Sequence, residues 1–150
     1  MLSYDTLFIA MHLPVLPAWA LLIGAPKARM TRAYVHSGLV PLILGALYGA
    51  LLFSAVCLGY AAEGAAMGSL AGVMALFSHP VGALTAWAHF ICFDLFVGAW
   101  VARDAARRAM GHLGTLPALG LCFVFAPLGL AWHLLRRAAL GHGIALGEGD

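Results

Sequence analysis

Charge is what this chain has least of. Eight Lys and Arg and six Asp and Glu make up 9% of its 150 residues, where soluble domains carry about 25%. Hydrophobic residues reach 63% and the mean hydropathy is +0.96. A chain this short exposes much of its surface, so no water-soluble core could hide that much apolar area. An ordinary soluble enzyme domain is thereby excluded. A net charge of +2 makes no phosphate-tracking face, which excludes a nucleic-acid partner. Cysteine is scarce too. Cys57, Cys92 and Cys122 lie in apolar stretches without CxxC spacing, so neither a disulfide framework nor a metal site is expected. GxSxG, HExxH, P-loop and GxGxxG motifs are missing in any usable context. Lysine is missing from the apolar runs, Lys27 lying at an edge, which excludes a buried retinal Schiff base.

What the chain does have is long apolar runs: Leu7–Ile23, His36–Tyr60, Val81–Ala102 and Thr115–Leu135. Each is close to the ~20 residues that a helix needs to cross a bilayer. None alternates apolar and polar residues as a barrel strand does. The expected fold is an all-α integral membrane protein, a four-transmembrane-helix bundle forming a single domain over 1–150. It would be a multi-pass protein, of the inner or plasma membrane if bacterial, and a homo-oligomer is compatible with it. Pro14 and Pro17 should kink the first helix. The run is not read as a cleaved signal, because the basic cluster follows it instead of preceding it. Ala61–His79 reads as a loop able to hold a short interfacial helix, and the tail 141–150 as flexible.

The Lys and Arg residues set an orientation. The first connection carries Lys27, Arg29 and Arg32, and the third carries Arg103, Arg107 and Arg108. With these two connections in the cytoplasm, both termini face outward. Arg136 and Arg137 then stand on the wrong side.

Asp94 is the most informative residue. It sits mid-run among Phe93, Leu95 and Phe96, where a carboxylate costs about 2.5–3.5 kcal/mol. It must be partnered, turned inward or protonated. Two readings stand: a hydrogen-bond anchor between helices, or a proton donor. Tyr48 falls at a similar depth and could bond it. His12, His89 and His133, from three runs, populate one leaflet. At about 100° per residue, His89 and Asp94 lie about 140° apart around one helix. Trp87, Phe90, Phe93 and Phe96 lie deep enough to flank a flat polyene. Trp19, Trp100, Trp132, Tyr4, Tyr34 and Tyr60 lie near run ends, as interfacial belts do. Gly45, Gly49, Gly82, Gly98 and Gly129 are candidates for close helix approach.

Leu76-Phe77-Ser78, then Ala86-Trp87-Ala88-His89-Phe90-Ile91-Cys92-Phe93-Asp94-Leu95-Phe96, then Asp104 resemble the abscisic-acid-deficient-four-like family. Val15-Leu16-Pro17, Trp19, Pro26-Lys27, Tyr48, Leu121-Cys122, Phe125, Pro127, Gly129 and His133 fit in the same order. Plant members of the family are tied to neoxanthin synthesis. The resemblance implies a membrane protein that binds a carotenoid or another isoprenoid lipid. It further implies an isomerase that converts a carotenoid 5,6-epoxide to an allene. That reaction is redox-neutral and needs no cofactor. An acid protonates the epoxide oxygen, the ring opens to a polyene cation, and a base removes the C7 proton. Asp94 would be the acid, His89 the base and Tyr48 an orienting partner. His12, Trp87, Phe90, Phe93, Phe96 and His133 would contact the ligand, the aromatic faces stabilising the cation. Two other classes compete: a membrane haem or quinone protein with histidine ligands, and a non-catalytic assembly factor in which Asp94 is structural.

Overall fold

A computed structural model describes residues 3–146, and these form eight α-helices and no strand. The helices are α1 (Tyr4–His12), α2 (Val15–Gly24), α3 (Arg29–Tyr34), α4 (Leu39–Cys57), α5 (Leu70–Ser78), α6 (Pro80–Arg107), α7 (His112–Val124) and α8 (Ala126–Ala139). Tyr4–Gly24, Arg29–Cys57 and Pro80–Arg107 are long and apolar enough to cross a membrane. Two compact units divide the chain. The first takes residues up to Leu16 and Val40–Cys92; the second takes Pro17–Leu39 and the residues from Phe93 onward. The expected kink in the first run is a full interruption at Leu13–Pro14.

The first unit contains α1, most of α4, α5 and the first half of α6. Two of its helices, α1 and α5, start at ordinary capping residues: the Ser3 hydroxyl accepts from the Thr6 N–H, and the Ser69 hydroxyl from the Gly72 N–H. The short helix allowed for within Ala61–His79 is α5. Gly82 approaches α5 so closely that a Cβ would overlap the Leu76 carbonyl.

The second unit holds the larger departure from expectation. The run Thr115–Leu135 is not one spanning helix but two, α7 and α8, broken at Phe125. At 1.5 Å per residue they are only about 20 Å long, short of a ~30 Å hydrocarbon core. They fold back on each other. The Arg136 guanidinium near the end of α8 donates to the Met110 carbonyl just before α7, at 2.6 Å. Pro127 explains the break: in a continuous helix it would remove a hydrogen bond and clash with the preceding turn. Gly129 lets the two arms meet, since a Cβ there would overlap Cys122 and the Ala118 carbonyl. The all-helical fold is as expected, whereas four spanning helices are not borne out. The fourth span is a hairpin, and the C-terminal end of α8 returns to the level where α7 began.

Three of the five expected close-approach glycines, Gly82, Gly98 and Gly129, fill that role, whereas Gly45 and Gly49 face open space. Gly98 receives the Trp19 indole of α2. Trp19 is only 3% exposed and meets Phe123 edge-on at 5.5 Å, so it is a core residue and not a belt residue. Of the tail, Gly141–Leu146 is non-helical and its Ala145 carbonyl accepts from Arg137 at 2.8 Å. The remainder, 147–150, lies outside the described residues.

The hairpin contact gives a paired expectation. Gly129→Ala should destabilise the detergent-solubilised protein by about 1–3 kcal/mol through overpacking. Gly120→Ala, on the same hairpin with nothing within 4 Å, should be neutral or stabilising by up to about 1 kcal/mol. Thermal unfolding followed by circular dichroism distinguishes them.

Candidate functional site

Asp94 stands at the midpoint of α6, and its Oδ1 accepts the backbone N–H of Ala126 at 3.1 Å. Ala126 opens α8. A helix start leaves four N–H groups without helical partners, and here all four can be traced. Ala126 is met by Asp94, residue 127 is proline and has no N–H, and Leu128 and Gly129 both donate to the Phe125 carbonyl. The carboxylate therefore caps a helix that begins at the tip of the hairpin. A negative group at that position also complements the helix dipole. Asp94 makes this bond to backbone, while the ring of Tyr48 packs beside His89 at 5.9 Å.

His12 is held from both sides. Its Nε2 accepts the indole N–H of Trp87 at 3.1 Å, and its Nδ1 lies 2.7 Å from the Phe8 carbonyl. Indole can only donate and a carbonyl can only accept, so His12 is neutral with its proton on Nδ1. Phe8 closes the group, 4.8 Å from His12 and 5.7 Å from Trp87 between ring centroids. Both ring nitrogens being engaged, His12 has no lone pair to offer a haem iron. His89 is exposed on α6, with Phe90 edge-on at 6.1 Å. Phe90, Phe93 and Phe96 are exposed as well, and Phe93 meets Phe96 at 6.4 Å. This aromatic face is what α6 presents outward.

His133 belongs to a different cluster. Its Nε2 donates to Asp104 Oδ2 at 2.8 Å, beneath the edge-on ring of Trp100 at 5.7 Å. Asp104 Oδ1 also receives Arg108 at 3.2 Å and Arg107 at 3.5 Å, and Arg137 lies 3.4 Å from Oδ2. Asp104 and His133 are 1% exposed and Arg137 is 0%. One carboxylate thus gathers three guanidiniums and an imidazole from α6, the residue that follows it and α8. The charge pattern alone, with Arg107, Arg108 and Arg137 at the ends of apolar runs, does not reveal this cluster. The available signal was helical phase: Asp104 lies three residues beyond the buried Val101, about 60° from it around α6.

Among the described residues no group of three His, Cys, Asp or Glu side chains is placed to hold a metal. Removing the shared carboxylate should be severe, because it leaves buried cations uncompensated. Asp104→Asn is expected to cost about 3–5 kcal/mol, whereas Arg107→Gln, at the exposed rim, should cost under about 1 kcal/mol. Chemical or thermal unfolding of the two variants in one detergent checks the contrast.

The sequence profile described as ABA DEFICIENT 4-like matches residues 6–133. A curated relative, "Protein ABA DEFICIENT 4, chloroplastic" from Arabidopsis thaliana, is 30% identical over 132 residues. That alignment covers 85% of this chain and 59% of the relative, so the chain spans less than two thirds of the relative's length. No solved structure matches the chain. The matched region runs from α1 to His133 and takes in Asp94, the turn of the hairpin and Asp104. On that coverage, the chain belongs to the ABA DEFICIENT 4-like family.

Proposed function

We propose that the protein is an integral membrane protein that binds a carotenoid or related polyene isoprenoid and isomerises it without net oxidation or reduction. Family membership carries this reading, since the family's plant members are tied to neoxanthin synthesis. Three apolar stretches and an outward aromatic face on α6 support a lipid-soluble ligand. A polyene reaches such a face sideways from the bilayer, without passing through water.

The topology that fits is three crossings plus a hairpin that enters and leaves by one face. All eight Lys and Arg, from Lys27 to Arg137, then lie on that face. This accords with a cytoplasmic excess of basic residues and removes the anomaly of Arg136 and Arg137. A reporter fused to the C-terminus should be cytoplasmic, and one inserted between Ala61 and Gly68 should not. A C-terminal reporter on the outer face would restore four crossings.

In the chemistry, Asp94 supplies a proton to the epoxide oxygen and the C–O bond opens. His89 takes the C7 proton, its electron pair forming the allene. The product is an isomer of the substrate, so no redox partner is needed. A protonated Asp94 can still accept the Ala126 N–H through its carbonyl oxygen while its hydroxyl donates. The cap itself favours a second reading, in which the protein binds its isoprenoid without turning it over. Asp94→Asn decides between them. Asparagine keeps an acceptor for Ala126 but has no proton to give, so the fold should persist while conversion of epoxy-xanthophylls stops. His89→Ala should lose turnover with a smaller loss of binding. Chromatography of xanthophylls incubated with each variant is the assay. Wild-type protein that binds but converts none of them supports the binding-only reading.

A further inference from the structure

The second unit contains a cavity of about 930 Å³ at the basic end of α6. Its walls come from both sides of a long sequence gap: Lys27, Arg32 and His36 from the α2–α4 region, and Arg103 and His112 from the α6–α7 region. The two regions are tied directly. His112 Nε2 donates to the Ile23 carbonyl at 2.8 Å, and the Arg103 guanidinium donates to His36 Nδ1 at 3.1 Å. Arg32 is held at the rim by the Lys27 carbonyl at 3.2 Å. Among the described residues no carboxylate lines the cavity. The nearest in sequence, Asp104, is buried against Arg107, Arg108, His133 and Arg137 and does not neutralise the cavity.

The backbone adds to the same sign. The α7 helix begins at this wall, with Gly111 at φ +75 as its N-cap and no side-chain cap. Gly111, His112 and Thr115 at this helix start are among the lining residues, and the positive end of a helix favours an anion. The wall of α6 opposite is built of alanines, which leave room without adding polar competitors. Three cations, the second ring nitrogen of His36 and the start of α7 suit a compact oxyanion with several acceptor oxygens. A neutral carotenoid uses none of them.

We infer that this cavity binds a phosphate-bearing anion, either the headgroup of an anionic lipid or a free phosphate or pyrophosphate. The inference is independent of the carotenoid reading. It is consistent with basic pockets between membrane helices on the cytoplasmic side, which hold anionic headgroups. A lipid source would place the phosphate in the cavity and the acyl chains along the outer face of α6.

The test uses the full chain in nanodiscs of equal phosphatidylglycerol and phosphatidylcholine, with retained lipids counted by native mass spectrometry. Titration of inorganic pyrophosphate in detergent, followed by calorimetry, is the second arm. Preferential retention of phosphatidylglycerol identifies a lipid source; binding of pyrophosphate alone identifies a soluble one. In either case, Lys27→Gln, Arg32→Gln and Arg103→Gln together should weaken binding by about fivefold for each cation removed. Ala106→Glu, at an exposed lining position, sets a carboxylate in the cavity without touching the cations and should abolish it. Its unchanged thermal unfolding guards against a folding artefact in the triple variant. Equal retention of both lipids with no pyrophosphate binding overturns the inference. So does wild-type binding that survives Ala106→Glu.

Discussion

A backbone N–H in hydrocarbon has to find an acceptor, because no water is there to supply one. The break between α7 and α8 creates such donors, and Asp94 meets the one that the local turn leaves over. Much of the second unit follows from that contact. It fixes the tip of the hairpin at the middle of α6, and the length of the arms then brings Met110 and Arg136 level with the end of α6. A carboxylate that is costly as an isolated group becomes the cheaper alternative to an uncapped helix. The same atom set is therefore consistent with a structural duty and, when protonated, with a chemical one.

The basic end of the molecule solves a second electrostatic problem. Arg107, Arg108 and Arg137 converge on Asp104, and His133 completes the ring of donors. Among the described residues three guanidiniums share one carboxylate, and Arg137 Nε and Nη1 are buried without a hydrogen-bond partner, so the cluster is not matched charge for charge. It registers α8 against α6 from the end opposite the Asp94 cap. Two carboxylates ten residues apart on one helix thus hold the hairpin at its tip and at its base. The close contacts of Gly129 with Cys122 and of Gly98 with Trp19 then leave little room for sliding.

Much of this was legible in the residues. The apolar runs announced helices, the prolines announced the break near Leu13, and the isolation of Asp94 announced a polar partner. Its partner was not legible, because a backbone N–H leaves no mark in a sequence. The hairpin was hidden for a related reason. Twenty-one consecutive residues without a charge look the same whether they cross a bilayer or turn back halfway. Only Pro127, and the awkward placement of Arg136 and Arg137, spoke for the turn. Trp19 was misread because indole is equally at home at an interface and in a core with a glycine opposite. Of the site candidates, His12 paired with Trp87, His89 with Tyr48, and His133 with Asp104. Such pairings depend on helix rotation, which spacing alone leaves open.

The Asp94–Ala126 bond also imposes an order in time. The acceptor lies 32 residues before its donor, so at about 5–20 residues per second it is synthesised roughly two to six seconds earlier. The Asp94 cap can therefore form only once the first turn of α8 has been made, so the contact that sets the hairpin's tip is closed by the later of its two partners.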